Sequence, residues 1–510
     1  MNNILKINIY TGLLFCSLLH LSSFGFGQHK TNKPNIVLIL TDDQGYGDLS
    51  VHESPDVRTP NIDRLKSQSV SLEDFHVSPT CAPSRAGIMS GRVPFKGGVT
   101  HTILGRERLA LGMTLLPEVM KRANYTTGIF GKWHLGDEDP YQPHNRGFDE
   151  TFIHGAGGVG QNYPGDGGDV PGNDYQDPII KHNNKFVRTK GFCTDVFFKK
   201  ALSWMRSCQN QGNPFFAYIA TNAPHSPFKA PMSYQKRFAD LKYPRTGQGF
   251  YGMIENIDDN VGLLLKKLDE WKLSENTIVI YMSDNGRTKG PTNHKRQIYN
   301  AGMRGLKNTS YQGGTRVPFF MRWPSHIKAG TKVHSLFSHY DIMPTFAEIA
   351  DINIKDIPNL DGESFLSYVK GEKTKATEKY RFIHAARWPG NPKQYIGYTR
   401  DKRLKGNVTS SNPQNHKYNR CAVRTQQYSF VNNKELYDIR KDPGQKNNII
   451  DQHPKLISEL RKEYDIWWDS MTPLMINETE TLVKEQAFKK QYEKQLATEG
   501  IPDWKEPKLD

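Results

Sequence analysis

A chain of 510 residues is long enough for one large domain and a smaller one. A hydrophobic content of 36% with 11% aromatic supports a packed core, while 43 Gly and 30 Pro argue for many loops rather than a helical bundle. The formal charge of +15 favours a polyanionic partner, although a Lys-rich solvated surface explains it equally well; with no helix-turn-helix, zinc-finger or aromatic-basic RNA motif, nucleic acid is not the expected partner.

At the N-terminus, Lys6 is followed by an apolar stretch from Ile7 to Phe26, with Gly25 and Gly27 placing small residues before Gln28. This reads as an export signal over residues 1–27, which implies a periplasmic or secreted protein. A retained anchor and a lipid-modified Cys16 are alternatives, but bulky Phe15 precedes Cys16 and the apolar run continues past it. Loss of residues 1–27 removes Lys6 and leaves 67 − 53 = +14. No later segment has the ~18 uninterrupted apolar residues of a membrane helix, so no transmembrane segment is expected in the mature chain.

Four apolar runs follow, each ending in polar residues. Asn35 to Leu40 runs into Thr41-Asp42-Asp43, and Thr127 to Phe130 leads to Lys132-Trp133-His134. Phe215 to Ala220 leads through Thr221 to His225, and Thr277 to Met282 runs into Ser283-Asp284-Asn285-Gly286. Continuous apolar runs of this length suggest strands buried on both faces, as in a parallel sheet. Helical patterns alternate with them: Leu115, Leu116, Val119 and Met120 behind a Thr114 cap, Thr194 to Ser207, and a stripe from Ile257 to Trp271. The alternation predicts a layered α/β fold over about residues 33–375, with functional groups gathered beyond the carboxyl ends of the strands. Asp42, His134, His225 and Asp284 are therefore expected to meet. Residues 155–172, rich in Gly, Asp and Asn, read as a mobile loop at a substrate mouth.

Beyond residue 375 the spacing predicts short strands over Tyr380–His384, Gln394–Thr399, Cys421–Val431 and Glu435–Asp438, then a helix over Pro454–Trp468. These form a small antiparallel subdomain over 376–472, followed by a charged tail, 473–510. No repeat is present. If Cys193 and Cys208 flank one helix, ~1.5 Å per residue separates them by about 22 Å, too far for a disulfide.

The chemistry-bearing residues are of few types. Asp42, Asp43, Asp284 and Asn285 are hard oxygen donors on two strand ends, a set that favours calcium or magnesium over zinc. In Ser78 to Arg92, Pro83 suits the first turn of a helix. Cys81 would then sit near a helix N-terminus, where anions are favoured, with Arg85 one turn on. In an extended stretch Lys132 and His134 point to one side. Alone, Cys81 reads as a buried structural cysteine, Asp42-Asp43 as a turn or cap, and Lys132 with His134 as an exposed lysine beside a satisfied histidine.

Together the motifs resemble the type I, formylglycine-dependent sulfatases, bacterial polysaccharide sulfatases among them. The resemblance rests on Cys81-Ala82-Pro83-Ser84-Arg85, Gly131-Lys132-Trp133-His134-Leu135-Gly136, Asn222-Ala223-Pro224-His225 and the segment from Met303 to Pro318. It covers roughly Lys33 to Asp361 and, more loosely, Tyr380 to Asn448, where Leu436-Tyr437-Asp438 matches the family's closing hairpin. It implies an alkaline-phosphatase-like mixed, mostly parallel sheet between helices, and a sulfuric ester hydrolase. Cys81 would be converted by a formylglycine-generating or sulfatase-maturating enzyme to formylglycine (3-oxoalanine). One hydroxyl of the hydrated aldehyde attacks sulfur, and proton loss from the other expels sulfate. One calcium ion would be bound by Asp42, Asp43, Asp284, Asn285 and residue 81. Arg85 would orient the hydrate, Lys132 and Lys307 would hold sulfate, His134 would remove the hydrate proton, and His225 would serve the leaving oxygen. Leu306 stands where the family has a small residue, so Arg304 is the fallback for Lys307.

Export, basic charge and the C-terminal subdomain point to a sulfated polysaccharide or oligosaccharide, of algal ulvan or galactan type or a glycosaminoglycan. His154, Arg322, His384 and Arg387 are candidate specificity contacts. The rival readings are a phosphomonoesterase or phosphodiesterase of the alkaline phosphatase superfold, and a non-catalytic polyanion-binding protein.

Overall fold

The protein is described by a computed structural model, which covers residues 33–103, 105–162, 167–375, 377–386, 413–475 and 486–509. The export signal, the Gln394–Thr399 strand and Arg387 lie outside the described residues.

The apolar runs form the strands expected of them, because β-branched and aromatic side chains fill both faces of a buried sheet. In chain order these are β1 (Asn35–Thr41), β2 (Val70–His76), β3 (Thr126–Lys132), β4 (Glu150–His154), β5 (Ile179–His182), β6 (Lys185–Arg188), β7 (Phe215–Ala220), β8 (Thr277–Ser283), β9 (Phe319–Arg322) and β10 (Lys332–Ser338). They make one sheet in the order β10-β2-β9-β8-β1-β7-β3-β4-β5-β6. Only β5 and β9 run against the rest, so the sheet is mixed and mostly parallel.

Alternate residues of β1 feed two separate cores. Ile36, Leu38 and Leu40 pack with the helices Cys81–Ser90, Leu116–Arg122 and Ile342–Ile349. Val37 and Ile39 pack on the other face with the helices Pro60–Ser67, Cys193–Gln211 and Arg245–Glu270. The sheet is thus sandwiched between helices, and β1, β3, β7 and β8 all end on one edge.

Several local expectations change. Thr114 is not the helix cap: the helix begins at Leu116, and the Leu115 amide donates to Glu118 Oε2 at 2.7 Å. The helix at Cys193–Gln211 is longer than its apolar stripe and contains both Cys193 and Cys208. All four described cysteines are free and buried. The segment Cys421–Val431 is a hairpin, not one strand. β11 (Arg381–His384), β12 (Cys421–Arg424), β13 (Tyr428–Val431) and β14 (Glu435–Asp438) form the small antiparallel sheet. The helix Pro454–Met471 covers it with Leu460, Tyr464 and Trp468. Among the described residues, no helix is long and apolar enough to cross a membrane.

Residues 155–172 are not a free loop where described. The Gly155 and Gly160 amides donate to Asp169, and the Ala156 and Gly168 amides donate to Asp137. Nor does the end of the chain stand apart. The helix Ala487–Thr498 lies on β6, Trp504 packs at 5.3 Å from Phe152, and the Arg188 guanidinium donates to the Ile501 carbonyl at 2.8 Å.

Phe488 is 1% exposed, edge-on to Phe186 at 5.1 Å and directly against Gly155. Phe488→Ala should therefore lower unfolding free energy by about 3 kcal/mol, the usual loss for a buried aromatic ring. Leu496→Ala, half exposed on the same helix, should change it by less than about 0.5 kcal/mol. Urea titration of both variants checks this, and equal small effects would mean the helix is not integral to the fold.

Candidate active site

The common strand edge gathers the expected residues because parallel strands deliver their following loops to one end. Beyond β1 lie Asp42 and Asp43, beyond β8 Asp284 and Asn285, and at the end of β3 stands Lys132. Each of these five side chains is buried. Cys81 enters from the same side as the first residue of the helix Cys81–Ser90, which places Pro83 among the amides that lack an intrahelical partner. Two glycines permit the close approach. A Cβ on Gly131 would lie 2.0 Å from the Ala220 carbonyl oxygen, and one on Gly286 would lie 2.0 Å from that of Gly313.

Three carboxylates would repel one another here, and each meets its own cation. Lys132 Nζ donates to Asp42 Oδ2 at 2.6 Å, and Lys307 pairs with Asp43. Arg85 donates from Nε and Nη2 to Asp284 Oδ2 at 3.1 and 2.7 Å, and from Nη1 to the Lys132 carbonyl at 2.9 Å. Burial pushes the Asp284 carboxyl up to about 6, helped by the charge of Asp42. Burial acts the same way on Asp43, but Lys307, His225 and Asn285 outweigh it and hold that carboxyl well below its usual range. Burial raises the Cys81 thiol.

Ligand atoms of Asp42, Cys81 and Asp284 lie within 4.8 Å of one another, as do those of Asp42, Asp43 and His225. Asp42 Oδ1 and Asn285 Oδ1 are buried acceptors with no donor, whereas Asn285 Nδ2 is committed to Asp43 Oδ1 at 2.9 Å. Unpaired buried oxygens next to carboxylates fit a hard cation better than they fit a closed hydrogen-bond network.

Both histidines flank this cluster, His134 by a different route from the one expected. Lys132 ends β3, so His134 does not share its side by strand alternation. Instead His134 takes a left-handed backbone, φ +62°, which costs a non-glycine residue about 1 kcal/mol and turns the ring back inward. His134 Nε2 lies 2.7 Å from the Thr102 carbonyl, and Nδ1 is buried without a partner. Burial, reinforced by Lys132, keeps this imidazole neutral. His225 Nδ1 lies 2.7 Å from the Ser226 carbonyl while Nε2 faces Asp43 Oδ2 at 3.7 Å. Burial lowers it to about 4.

Lys307 occupies the site and Arg304 does not. Arg304 instead donates to Tyr437 and Glu435 of the small sheet. Of the specificity candidates, His154 is buried at the end of β4 on the site's edge, with Nε2 unpartnered. Arg322 pairs in register with Val279, toward the opposite end of the sheet. His384 stacks on Trp468 at 4.8 Å inside the small sheet's core.

Other residues that position the site were given no role from sequence. Asn222 is fully buried; it donates to Asp42 Oδ2 at 3.1 Å and accepts from the Val159 amide at 2.6 Å. Asp48 accepts from the Gly45 amide at 2.8 Å and from Arg287 Nε at 2.9 Å, tying the turn after Asp43 to the turn after Asn285. Gln161 Nε2 lies 3.4 Å from His225 Nδ1. Asn222 lies inside the Asn222-Ala223-Pro224-His225 motif, Asp48 just after Asp42-Asp43, and Gln161 in the Gly-rich stretch 155–172, and those positions were their only sequence signal.

A family model described as sulfatase matches residues 34–352, and one described as N-sulphoglucosamine sulphohydrolase, C-terminal, matches 306–405. The N-acetylgalactosamine-6-sulfatase of Rattus norvegicus is 33% identical over 65% of this chain and 65% of its own length, so the match spans just under two thirds of that relative. The uncharacterized sulfatase YdeN of Escherichia coli is 27% identical over 86% of each chain. The crystal structure of Ps i-CgsB in complex with k-i-k-neocarrahexaose has a TM-score of 0.72 and 27% identity, covering 92% of this chain and 98% of that one.

Arg85→Met should destabilise the fold by about 3–5 kcal/mol, since it leaves Asp284 buried and unpaired. The pair Arg85→Met with Asp284→Leu should recover most of that loss. Chemical denaturation of single and double variants measures the coupling; an Arg85→Met protein as stable as the parent would disprove it.

Proposed function

The chain belongs to the sulfatase family, and from that premise we propose that it hydrolyses sulfate esters of sugars, R–O–SO3⁻ plus water giving R–OH plus sulfate. The observation that carries this reading is the buried convergence of Asp42, Asp284 and Cys81 with three cations and two histidines at one strand edge.

In this proposal residue 81 works as formylglycine, made by a maturating enzyme, and one calcium ion is held by Asp42, Asp43, Asp284, Asn285 and residue 81. The orphan oxygens of Asp42 and Asn285 support the cation. When bound, calcium supplies charge that polarises the sulfate. The aldehyde hydrate supplies an attacking oxygen and a second hydroxyl for release.

The chain's own residues divide the remaining work. Lys132 and Lys307 neutralise sulfate oxygens, each with a carboxylate at hand to take back its charge when sulfate leaves. Arg85, fixed by Asp284 and the Lys132 carbonyl, orients residue 81 one helical turn away. A neutral His134 that donates Nε2–H to Thr102 keeps a lone pair on Nδ1, which suits a base. His225, donating Nδ1–H to Ser226, keeps Nε2 free to take a proton, and an incoming sulfate favours the charged ring. That suits protonation of the leaving oxygen.

A relative named for a sulfated amino sugar and a structure solved with a carra-oligosaccharide support a sulfated carbohydrate over an aryl or steroid ester. The apolar stretch near the N-terminus supports export to the periplasm or medium.

Metal removal gives the first test. Thorough chelation should reduce sulfate release, calcium should restore it, and Asp284→Ala should abolish it. Full activity in metal-free protein would sink the calcium assignment, and restoration by zinc alone would favour a phosphatase-type site.

Residue 81 gives the second. Mass spectrometry of active protein should show a Cys81 peptide lighter than the thiol form and reactive toward aldehyde reagents. Cys81→Ser should cleave ester at most once and retain a sulfuryl group on residue 81. His134→Ala should slow release by ~10²–10⁴-fold, the usual range for a lost acid–base group. Repeated turnover by Cys81→Ser near the parent rate would refute the geminal-diol chemistry.

A further inference from the structure

From Asn285 to Tyr340 the sequence holds ten Lys and Arg and no Asp or Glu. Four of those cations are matched by acids from elsewhere: Arg287 by Asp48, Arg304 by Glu435, Lys307 by Asp43 and Arg316 by Glu73. Arg322, Lys328 and Lys332 belong to the opposite end of the sheet. The remaining three, Lys289, Lys295 and Arg296, are exposed, and among the described residues none has a carboxylate within 4.0 Å.

Lys289 stands beside the site, and Lys295 and Arg296 follow on the same segment, which runs on past His294, paired with Asp56 at 3.5 Å. The Thr288 amide donates to the Asp43 backbone carbonyl at 3.2 Å, so Lys289 follows directly on a residue tied to the turn that carries Asp43. Gly290 faces the ring of Phe228, three residues beyond His225; a Cβ there would lie 3.9 Å from it. The rest of the segment is built rather than loose. Asn293 and Gln297 exchange backbone bonds at 3.0 Å and, through Asn293 Oδ1, at 2.9 Å. Arg296 takes a left-handed conformation, φ +58°, with its amide on the Asn293 carbonyl at 2.9 Å. Thr292 lies tight against Gly247 of the helix Arg245–Glu270, and Tyr299 donates to the His52 carbonyl at 2.9 Å. A turn anchored on both sides presents its cations with little ordering cost on binding.

We propose that the turn over residues 289–296 is a binding rim for the acidic groups of an anionic glycan, engaging sulfates or carboxylates on sugars next to the one hydrolysed. This rests on the sulfatase reading and deepens it: the substrate is a multiply charged chain rather than an isolated monosulfated sugar. The buried cations bind the reacting sulfate, while the exposed three bind its neighbours and draw the chain in by long-range attraction.

The test compares Lys289→Ser/Lys295→Ser/Arg296→Ser with a control, Lys272→Ser/Lys328→Ser/Lys332→Ser, that removes the same charge from the far end of the sheet. A carrageenan hexasaccharide serves as polyanion and p-nitrophenyl sulfate as a small ester. Exposed ion pairs are each worth a few-fold at most, so the rim variant should bind the hexasaccharide roughly tenfold more weakly by calorimetry. The difference should shrink at high salt. Its kcat/KM for the hexasaccharide should fall by the same factor and for the aryl ester by less than about twofold, with the control unchanged. Hexasaccharide binding unaffected by the rim variant, or weakened equally in the control, would overturn the rim. A single-stranded DNA of equal charge, bound as tightly and weakened as much, would overturn its assignment to a glycan. Rim-dependent binding without any sulfate release would instead count against the hydrolytic reading and leave the rim standing.

Discussion

Three carboxylates buried at adjacent strand ends form the constraint on which this site is built. Asp42, Asp43 and Asp284 cannot share so small a volume unless their charge is compensated, because low-dielectric surroundings magnify repulsion. The fold supplies one cation to each from a different element: Lys132 from the end of β3, Lys307 from the loop before β9, and Arg85 from the helix that starts at Cys81. The same pairings aim the side chains. Arg85 is held on two oxygens' worth of contacts, and Asp42 presents its second oxygen unpaired. In the proposed function that unpaired oxygen would meet the metal ion and the cations would meet the sulfate.

Charge alone does not fix positions to the precision such a site needs; a second layer does. The buried Asp48–Arg287 pair joins the turns that follow β1 and β8 from behind, with Arg287 also donating to Tyr251 at 2.8 Å. The Arg287 carbonyl accepts from the Lys307 amide at 2.9 Å, so one residue steadies both a carboxylate turn and a lysine. Asn222 performs the equivalent task across β1 and β7, tying Asp42 to the backbone of Val159. Each of these groups fixes a residue to which the proposal assigns a role.

The outer parts of the chain reinforce the same edge. Gly157 lies against His134 and Gln161 reaches His225, while the amides of Gly155, Ala156, Gly160 and Gly168 are held by the carboxylates of Asp137 and Asp169. Phe488, from the last described helix, closes over Gly155, and Gln491 reaches Lys181. On the other side, Arg424 of β12 reaches Asp74 of β2 at 2.9 Å, and Gln445 accepts from the Gln312 amide at 2.7 Å. The small sheet and the chain's end thus brace the loops around the site.

The sequence by itself determined the sheet and the edge that carries the chemistry. Apolar runs such as Ile36–Leu40 and Ile278–Met282 have the pattern of a doubly covered strand, and the polar residues after them had to fall at one end once the strands ran parallel. It also determined which residue types were available there, since Cys81, Lys132, His134 and Asp284 sit in short, specific motifs. Tertiary structure alone decided how they are paired and aimed. The left-handed turn at His134, the choice of Lys307 over Arg304, and the removal of Arg322 and His384 to distant places depend on packing between segments far apart in the chain. The same holds for Asn222, Asp48 and Arg287, whose partners lie tens to hundreds of residues away. Periodicity reports which face of an element is buried, a local property. Which charge meets which is set by three-dimensional proximity, and no local pattern encodes it.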